Sequence, residues 1–255
     1  MTARSSADSS RQAQHVLPAT LTGWALFLDV DGTLLEIAPS PDAVVVSPTL
    51  PLLLGKLQQQ LNGALALISG RPLAELDQLF QPLQCAGAGL HGAEWRSSPG
   101  PSQLLPVDLA ALEDARQRAH ELVRVLPGVL IEDKGRTIAL HWRKAPAHEA
   151  ALRAGAERIA GATGLVIQPG KCVFELKPAG INKGDALRRL SAQPPFAGRR
   201  PLFIGDDLTD AFAIEAAQRL GGAGIAVGPT LAAIADGELA DPAAVLKQLQ
   251  CWSEQ

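Results

Sequence analysis

The sequence predicts an α/β fold, built on a parallel sheet flanked by helices and interrupted by a smaller inserted α/β unit. Two observations carry this. Short apolar runs recur along the chain, each ending at Asp, Ser or Gly and most followed by a helix start, which is the pattern of buried parallel strands whose ends line one edge of a sheet. Between Asp108 and Lys177 that rhythm gives way to helix, two strands, helix, two strands, and from Asn182 the alternation resumes. The core is therefore expected from residues 20–107 and 179–255, the insert from 108–178, and a flexible tail from 1–19, whose first 15 residues are rich in Ser, Ala, Gln and Arg.

The first strand, Trp24–Leu28, runs into Asp29 and Asp31 with Gly32 and Thr33 behind them. An apolar run stopped by Asp and Gly reads as a buried strand ending in a turn, and the carboxyl ends of such strands form the usual ligand crevice of an open α/β sheet. Two carboxylates this close repel unless a cation or a shared proton compensates. A hard, oxygen-binding cation such as Mg2+ is the economical answer, with the Asp31 backbone carbonyl free to join it and one carboxyl left for nucleophilic work and one for proton transfer. Ordinary turn and cap chemistry is the competing reading of the same residues.

A proline-rich loop at 39–41 follows, then Ser47 and Pro48, a good N-cap and first-turn pair for a helix reaching about Gln60. Residues 64–68 form the next strand and end in Ser69-Gly70-Arg71 before Pro72 opens a second helix. Ser69 with the amides around Gly70 either caps that helix or binds phosphate. Arg71 either orients a substrate or pairs with a carboxylate of the fold. Residues 85–92 give a third strand and turn with His91 at its exit, a position that is more often structural than catalytic.

In the insert, a helix spans 108–126, strands are expected at 129–132 and 137–142, a second helix at 146–160, and strands at 165–168 and 172–177. Glu132 and Lys134 flank one hairpin bend, and Lys171 and Glu175 mark the other pair. Such charges are ordinarily solvated. Placed over the aspartates, they become ligands for sugar hydroxyls.

Beyond the insert, Lys183 sits in the first turn of a helix, against the helix dipole. The strand at 201–204 ends in Asp206, Asp207 and Asp210, three aspartates in five residues, more than capping requires. Strand 223–227 and a terminal helix at 242–251 complete the chain.

Composition bounds the function. With 255 residues, 47% of them hydrophobic, the chain can bury one large or two smaller cores. A formal net charge of −3 gives no ground for nucleic-acid binding, and no apolar run is long enough for a membrane span. Three scattered cysteines, Cys85, Cys172 and Cys251, fit a reduced, cytoplasmic chain. Nothing in the sequence calls for an obligate protein partner.

DVDGTL at 29–34, Ser69, Lys183 and GDD at 205–207 resemble, in order and at strand ends, the four motifs of the haloacid dehalogenase phosphatase superfamily. The insert between the second and third motifs resembles that superfamily's larger α/β cap. ISGR at 68–71, LHG at 90–92, Glu132 with Lys134, GKxxxE at 170–175, INKG at 181–184 and GDDLTD at 205–210 are similar, more narrowly, to the bacterial trehalose-6-phosphate phosphatases, over nearly the whole chain after the tail. Ala211 departs from that family, which usually has Glu there.

The resemblance implies a Rossmann-like haloacid dehalogenase core with a cap, a Mg2+ cofactor and a small sugar phosphate as substrate. It implies Asp29 as nucleophile, Asp31 as general acid and base, and Ser69 and Lys183 on the transferring phosphoryl group. Asp29, the Asp31 carbonyl and Asp206 would hold the metal, with Asp207 and Asp210 behind them. Thr33, Gly70, Arg71 and His91 would serve substrate binding from the core, and Glu132, Lys134, Lys171 and Glu175 from the cap. Three other functions share these motifs: a phosphatase acting on another sugar phosphate, a catalytically silent sugar-phosphate-binding regulator, and a phosphomutase.

Overall fold

A computed structural model describes residues 17–37 and 44–255. The expected tail, through residue 16, and the loop at 39–41 lie outside the described residues. The larger unit is an eight-stranded sheet. Its central parallel strands are β1 (Trp24–Leu28), β2 (Leu65–Ile68), β3 (Ala86–Gly89), β10 (Arg200–Gly205) and β11 (Ala223–Val227), each buried along nearly its full length. Strands buried on both faces read as continuous apolar runs, which is why they were visible in the sequence.

Two short antiparallel strands, β4 (Glu94–Arg96) and β5 (Gln103–Leu104), extend one edge, and a parallel β12 (Gly237–Leu239) extends the other. None of the three was expected. At two or three residues each they carry too little periodicity to register.

The spatial order is β12-β11-β10-β1-β2-β3-β4-β5. Helix α1 (Thr49–Gln60) carries the chain from β1 outward to β2, whereas α6 (Ala211–Arg219) carries it from β10 the opposite way to β11. Right-handed crossovers in opposite directions put these helices on opposite faces. The strand order therefore reverses between β1 and β10, and a crevice opens at their carboxyl ends, where ligands bind in open α/β sheets. Asp29 and Asp31 follow β1, and Asp206 follows β10, so both acidic poles meet at that crevice.

The other core helices are α2 (Leu73–Leu79), α5 (Lys183–Ser191) and α7 (Pro242–Ser253). Leu26, Phe27, Leu28, Leu65, Ile68, Leu202, Phe203 and Ile204 are fully buried. At about 1.5–3 kcal/mol for each large apolar side chain removed from water, this sheet core is the main support beneath the crevice.

The insert forms its own antiparallel sheet, ordered β6 (Leu130–Asp133), β7 (Ile138–His141), β9 (Val173–Lys177), β8 (Val166–Gly170). Helices α3 (Leu109–Arg124) and α4 (Glu149–Thr163) cover one face, packing on Ile138, Leu140, Phe174 and Leu176. Strand alternation sends the intervening residues to the other face. Register aligns Glu132, Ala139, Glu175 and Gln168 in one row across the four strands. A sheet with one oily and one polar face results, and the polar face turns to the core crevice.

Candidate active site

Asp29 directly follows β1, its N–H donating to the Ile204 carbonyl, which ties it to the neighbouring strand at 3.0 Å. Its side chain is buried, and Lys183 Nζ lies 2.6 Å from Asp29 Oδ1 and 2.6 Å from Asp210 Oδ1. This explains the lysine placed against the dipole of α5: two buried carboxylates outweigh the helix end. Burial alone would lower the lysine's pKa, but Asp210 and Asp29 overcome it and the net shift is upward. Asn182 caps α5 by accepting the Asp185 N–H at 2.9 Å, which fixes the turn that delivers Lys183.

Asp206 and Asp210 complete the acidic pole. Asp210 Oδ2 accepts the N–H groups of Asp206 and Asp207 at 3.1 and 3.0 Å, so its carboxylate organises the turn as well as facing Lys183. Thr33 Oγ1 donates to Asp206 Oδ1 at 3.3 Å, linking the turn after β1 to the one after β10. Asp207 accepts the Leu208 N–H at 2.7 Å as a cap. Gly32 is the residue that lets the two turns approach: its φ is +90°, and a Cβ there would lie 2.1 Å from Asp206 Oδ2.

Asp29, Asp206 and Asp210 each offer an oxygen within 4.8 Å of the others. Burial first, then the charges of Asp29 and Asp210, push Asp206 up to about 8; burial and then Asp29 push Asp210 up to about 7. Three carboxylates against one ammonium leave surplus negative charge, and an all-oxygen donor set of this kind fits a hard divalent cation.

On the other side of the crevice, Ser69 Oγ accepts the Arg71 N–H at 3.1 Å and is almost fully buried. It does not cap α2. Glu94 does, accepting the Leu73 N–H at 2.6 Å. Arg71 grips Asp31 with a two-pronged fork, Nε to Oδ2 at 2.7 Å and Nη2 to Oδ1 at 2.8 Å, and also pairs with Glu75. Of the two roles left open for Arg71, this arrangement is carboxylate pairing. Burial opposes its charge, but Asp31 and then Glu75 raise its pKa further above an already high value.

The polar face of the insert closes over this crevice. Lys134 Nζ donates to the Gly70 carbonyl at 3.2 Å and lies 3.7 Å from Glu175. Glu175 is buried, accepts from Thr137 Oγ1 at 2.5 Å, and meets His91 Nε2 at 2.6 Å. Burial works to raise its pKa; His91, Lys134 and Thr137 more than offset that and hold it well below the usual carboxylate range. Glu132 pairs with His141 Nε2 at 2.8 Å. Lys171 is exposed in the bend after β8, away from these contacts. Gln168, His141 and Lys177 were missed in the sequence; the signal was their alternation with Ile167, Leu140 and Leu176.

A buried aspartate at the end of the central strand, a lysine on a later helix, an acidic turn after the neighbouring strand and a smaller α/β unit inserted between them define a haloacid dehalogenase-type fold. The trehalose-phosphatase family profile matches residues 27–230, and the chain belongs to that family. A probable trehalose-phosphate phosphatase of Sinorhizobium fredii (strain NBRC 101917 / NGR234) is 46% identical over 222 residues, covering 85% of this chain and 82% of that protein. The trehalose-6-phosphate phosphatase of Escherichia coli (strain K12) is 42% identical over 212 residues, covering 83% and 80%. The C-terminal domain of Candida albicans trehalose-6-phosphate phosphatase shares the fold, with a TM-score of 0.80 at 23% identity over 91% of this chain and 92% of that one.

Proposed function

We propose that this chain hydrolyses trehalose 6-phosphate to trehalose and phosphate with Mg2+ as cofactor, residues 108–178 acting as the cap. The observation that carries the chemistry is the buried Asp29 carboxylate, held by Lys183 beside Asp206 and Asp210 at the sheet's switch point. Asp29 attacks phosphorus, the bond to the sugar oxygen breaks, and Asp31 supplies the proton that oxygen needs. Asp31 then takes a proton from the water that attacks the phosphorylated Asp29, which releases phosphate and restores the carboxylate.

Asp29, Asp206 and the Asp31 carbonyl would hold the cation. Asp210 orders their turn and Asp207 caps the next one. Bound there, the cation supplies neutralisation of the phosphoryl oxygens. Lys183 and the Ser69 hydroxyl address the same oxygens, while Thr33 keeps Asp206 facing them. Arg71 fixes the direction of the Asp31 carboxyl. Gly70 brings backbone close to the phosphate, and His91 stands between it and the cap.

The substrate assignment is supported by the polar cap face and by the family. Glu132 and Glu175 accept from sugar hydroxyls, and Lys134 donates to them while bridging to the core at Gly70. Closure of that face excludes bulk water and presents these groups together, so specificity and closure are coupled. Lys171, exposed on the bend, meets only the outer part of a disaccharide.

Phosphate release from trehalose 6-phosphate, glucose 6-phosphate, sucrose 6-phosphate and a small aryl phosphate, with Mg2+ and with chelator, tests the proposal. Metal-dependent release favouring the trehalose ester is expected. Release from the aryl phosphate without release from that ester would discard the substrate. Ligand binding without release from any ester would favour a silent sugar-phosphate binder.

A further inference from the structure

The described residues include a line of four side chains that no step above uses as a unit: Lys177, Gln168, His91 and Glu175. It leaves the cap at Gln168, crosses to His91 on the core, and returns to the cap at Glu175. Lys177 Nζ bonds the Gln168 side-chain oxygen; Gln168 Nε2 is 3.1 Å from His91 Nδ1 and 3.3 Å from its Nε2; His91 Nε2 is 2.6 Å from Glu175 Oε2. Lys177 and Glu175 are buried, each 4% exposed.

Donor and acceptor inventories leave one consistent direction through this line. An ammonium only donates, so the amide oxygen of Gln168 must face Lys177 and its NH2 group must face His91. An ionised carboxylate only accepts, so His91 Nε2 must carry the proton that faces Glu175. His91 Nδ1 is then left as the acceptor for Gln168. The 3.1 Å contact to Nδ1 and the 2.6 Å contact to Glu175 are then both satisfied by a neutral imidazole.

The local backbone is built to hold that ring. His91 and Leu90 have φ of +55° and +50°, a left-handed conformation costly for residues with a side chain. Gly70 gives the ring its space, since a Cβ there would lie 2.6 Å from His91 Nε2. Gly70 is also the residue whose carbonyl receives Lys134 from the cap.

We propose that Gln168, oriented by Lys177, is a positioning residue that fixes the Nε2–H tautomer of His91 and so aims His91 at Glu175 across the closed cap–core seam. Gln168 acts through His91 and Glu175, and its influence on turnover rests on the trehalose-6-phosphate phosphatase reading. Its influence on the imidazole does not.

The test combines nitrogen-15 NMR of the imidazoles with steady-state kinetics on the full chain. The parent is expected to show His91 as the neutral Nε2–H tautomer. Gln168→Leu removes that preference. Gln168→Glu, nearly isosteric and so safe for folding, places an acceptor opposite Nδ1 and drives the ring toward Nδ1–H or double protonation. With trehalose 6-phosphate, Gln168→Leu raises KM by about tenfold, the scale of one lost hydrogen bond, with a smaller effect on kcat. Lys177→Met moves KM the same way, and Lys177→Arg restores it. The proposal is overturned if parent His91 is protonated on Nδ1, if its tautomer is indifferent to Gln168→Leu and Gln168→Glu, or if KM rises equally for an aryl phosphate. Absence of turnover by the parent on the trehalose ester would instead defeat the substrate reading, leaving the NMR result to decide the positioning role.

Discussion

Replacing Lys183 with Met removes the ammonium that faces Asp29 and Asp210, both at 2.6 Å, while roughly preserving side-chain length. Lys183 and Asp29 are 4% exposed on their side chains and Asp210 is fully buried, so solvent screens little of the lost interaction. Removing one partner of a buried pair leaves uncompensated charge and costs about 3–5 kcal/mol. For a chain of this size that is a drop in Tm of about 10 °C.

The sign of the pH dependence follows from the carboxylates. Lys183 has a folded pKa above its ordinary 10.5, so its contribution is complete below that pH and constant through the neutral range. Asp206 and Asp210 are raised from 3.8 to about 8 and about 7 even with Lys183 present. A raised carboxylate costs the folded state stability as pH climbs from the unfolded value to the folded one. Without Lys183 both shifts grow, so the loss is smallest in acid and grows as pH passes about 7 to 8, where the parent's two carboxylates ionise and the variant's do not. Urea unfolding of the metal-free parent and variant across that range reads the difference directly. A loss below about 1 kcal/mol at the alkaline end, or one that shrinks with rising pH, would refute this electrostatic account.

Three further outcomes follow from the geometry. Glu175→Ala should cut kcat/KM for trehalose 6-phosphate by about 100-fold and for an aryl phosphate far less, because it unpairs His91 on the core and Thr137 on the cap; equal losses in parallel assays would remove Glu175 from specificity. Arg71→Lys keeps the charge and loses the fork on Asp31, so kcat should fall by about tenfold to 100-fold with little change in KM, and an unchanged kcat would show that the fork does not matter to turnover. Gly32→Ala forces a Cβ against Asp206 at a φ of +90°, and should weaken Mg2+ binding measured by calorimetry as well as lower Tm; a wild-type metal affinity would contradict the placement of Asp206.

The central strands were legible because burial on both faces makes them apolar runs, and the site aspartates because they interrupt those runs at their ends. Lys183 was conspicuous for opposing a helix dipole, yet its partners, Asp29 and Asp210, lie 154 and 27 residues away and no local pattern names them. Arg71 is similar: its two candidate roles were readable, but the choice of Asp31, 40 residues earlier, needed the sheet. In the insert, register was the missing information. Glu132 and Glu175 drew notice as charges, whereas Gln168 joins their row only once β8 is paired with β9. The outer strands β4, β5 and β12 are held by pairing with their neighbours, a cause that short sequence windows do not contain.

The most direct test of the account is phosphate release from trehalose 6-phosphate by the parent and by Asp29→Asn, each with Mg2+ and with chelator. The account predicts metal-dependent release by the parent and none above background from the variant, which keeps its fold and loses only its nucleophile. Turnover by Asp29→Asn comparable with the parent's would place the chemistry elsewhere and contradict it.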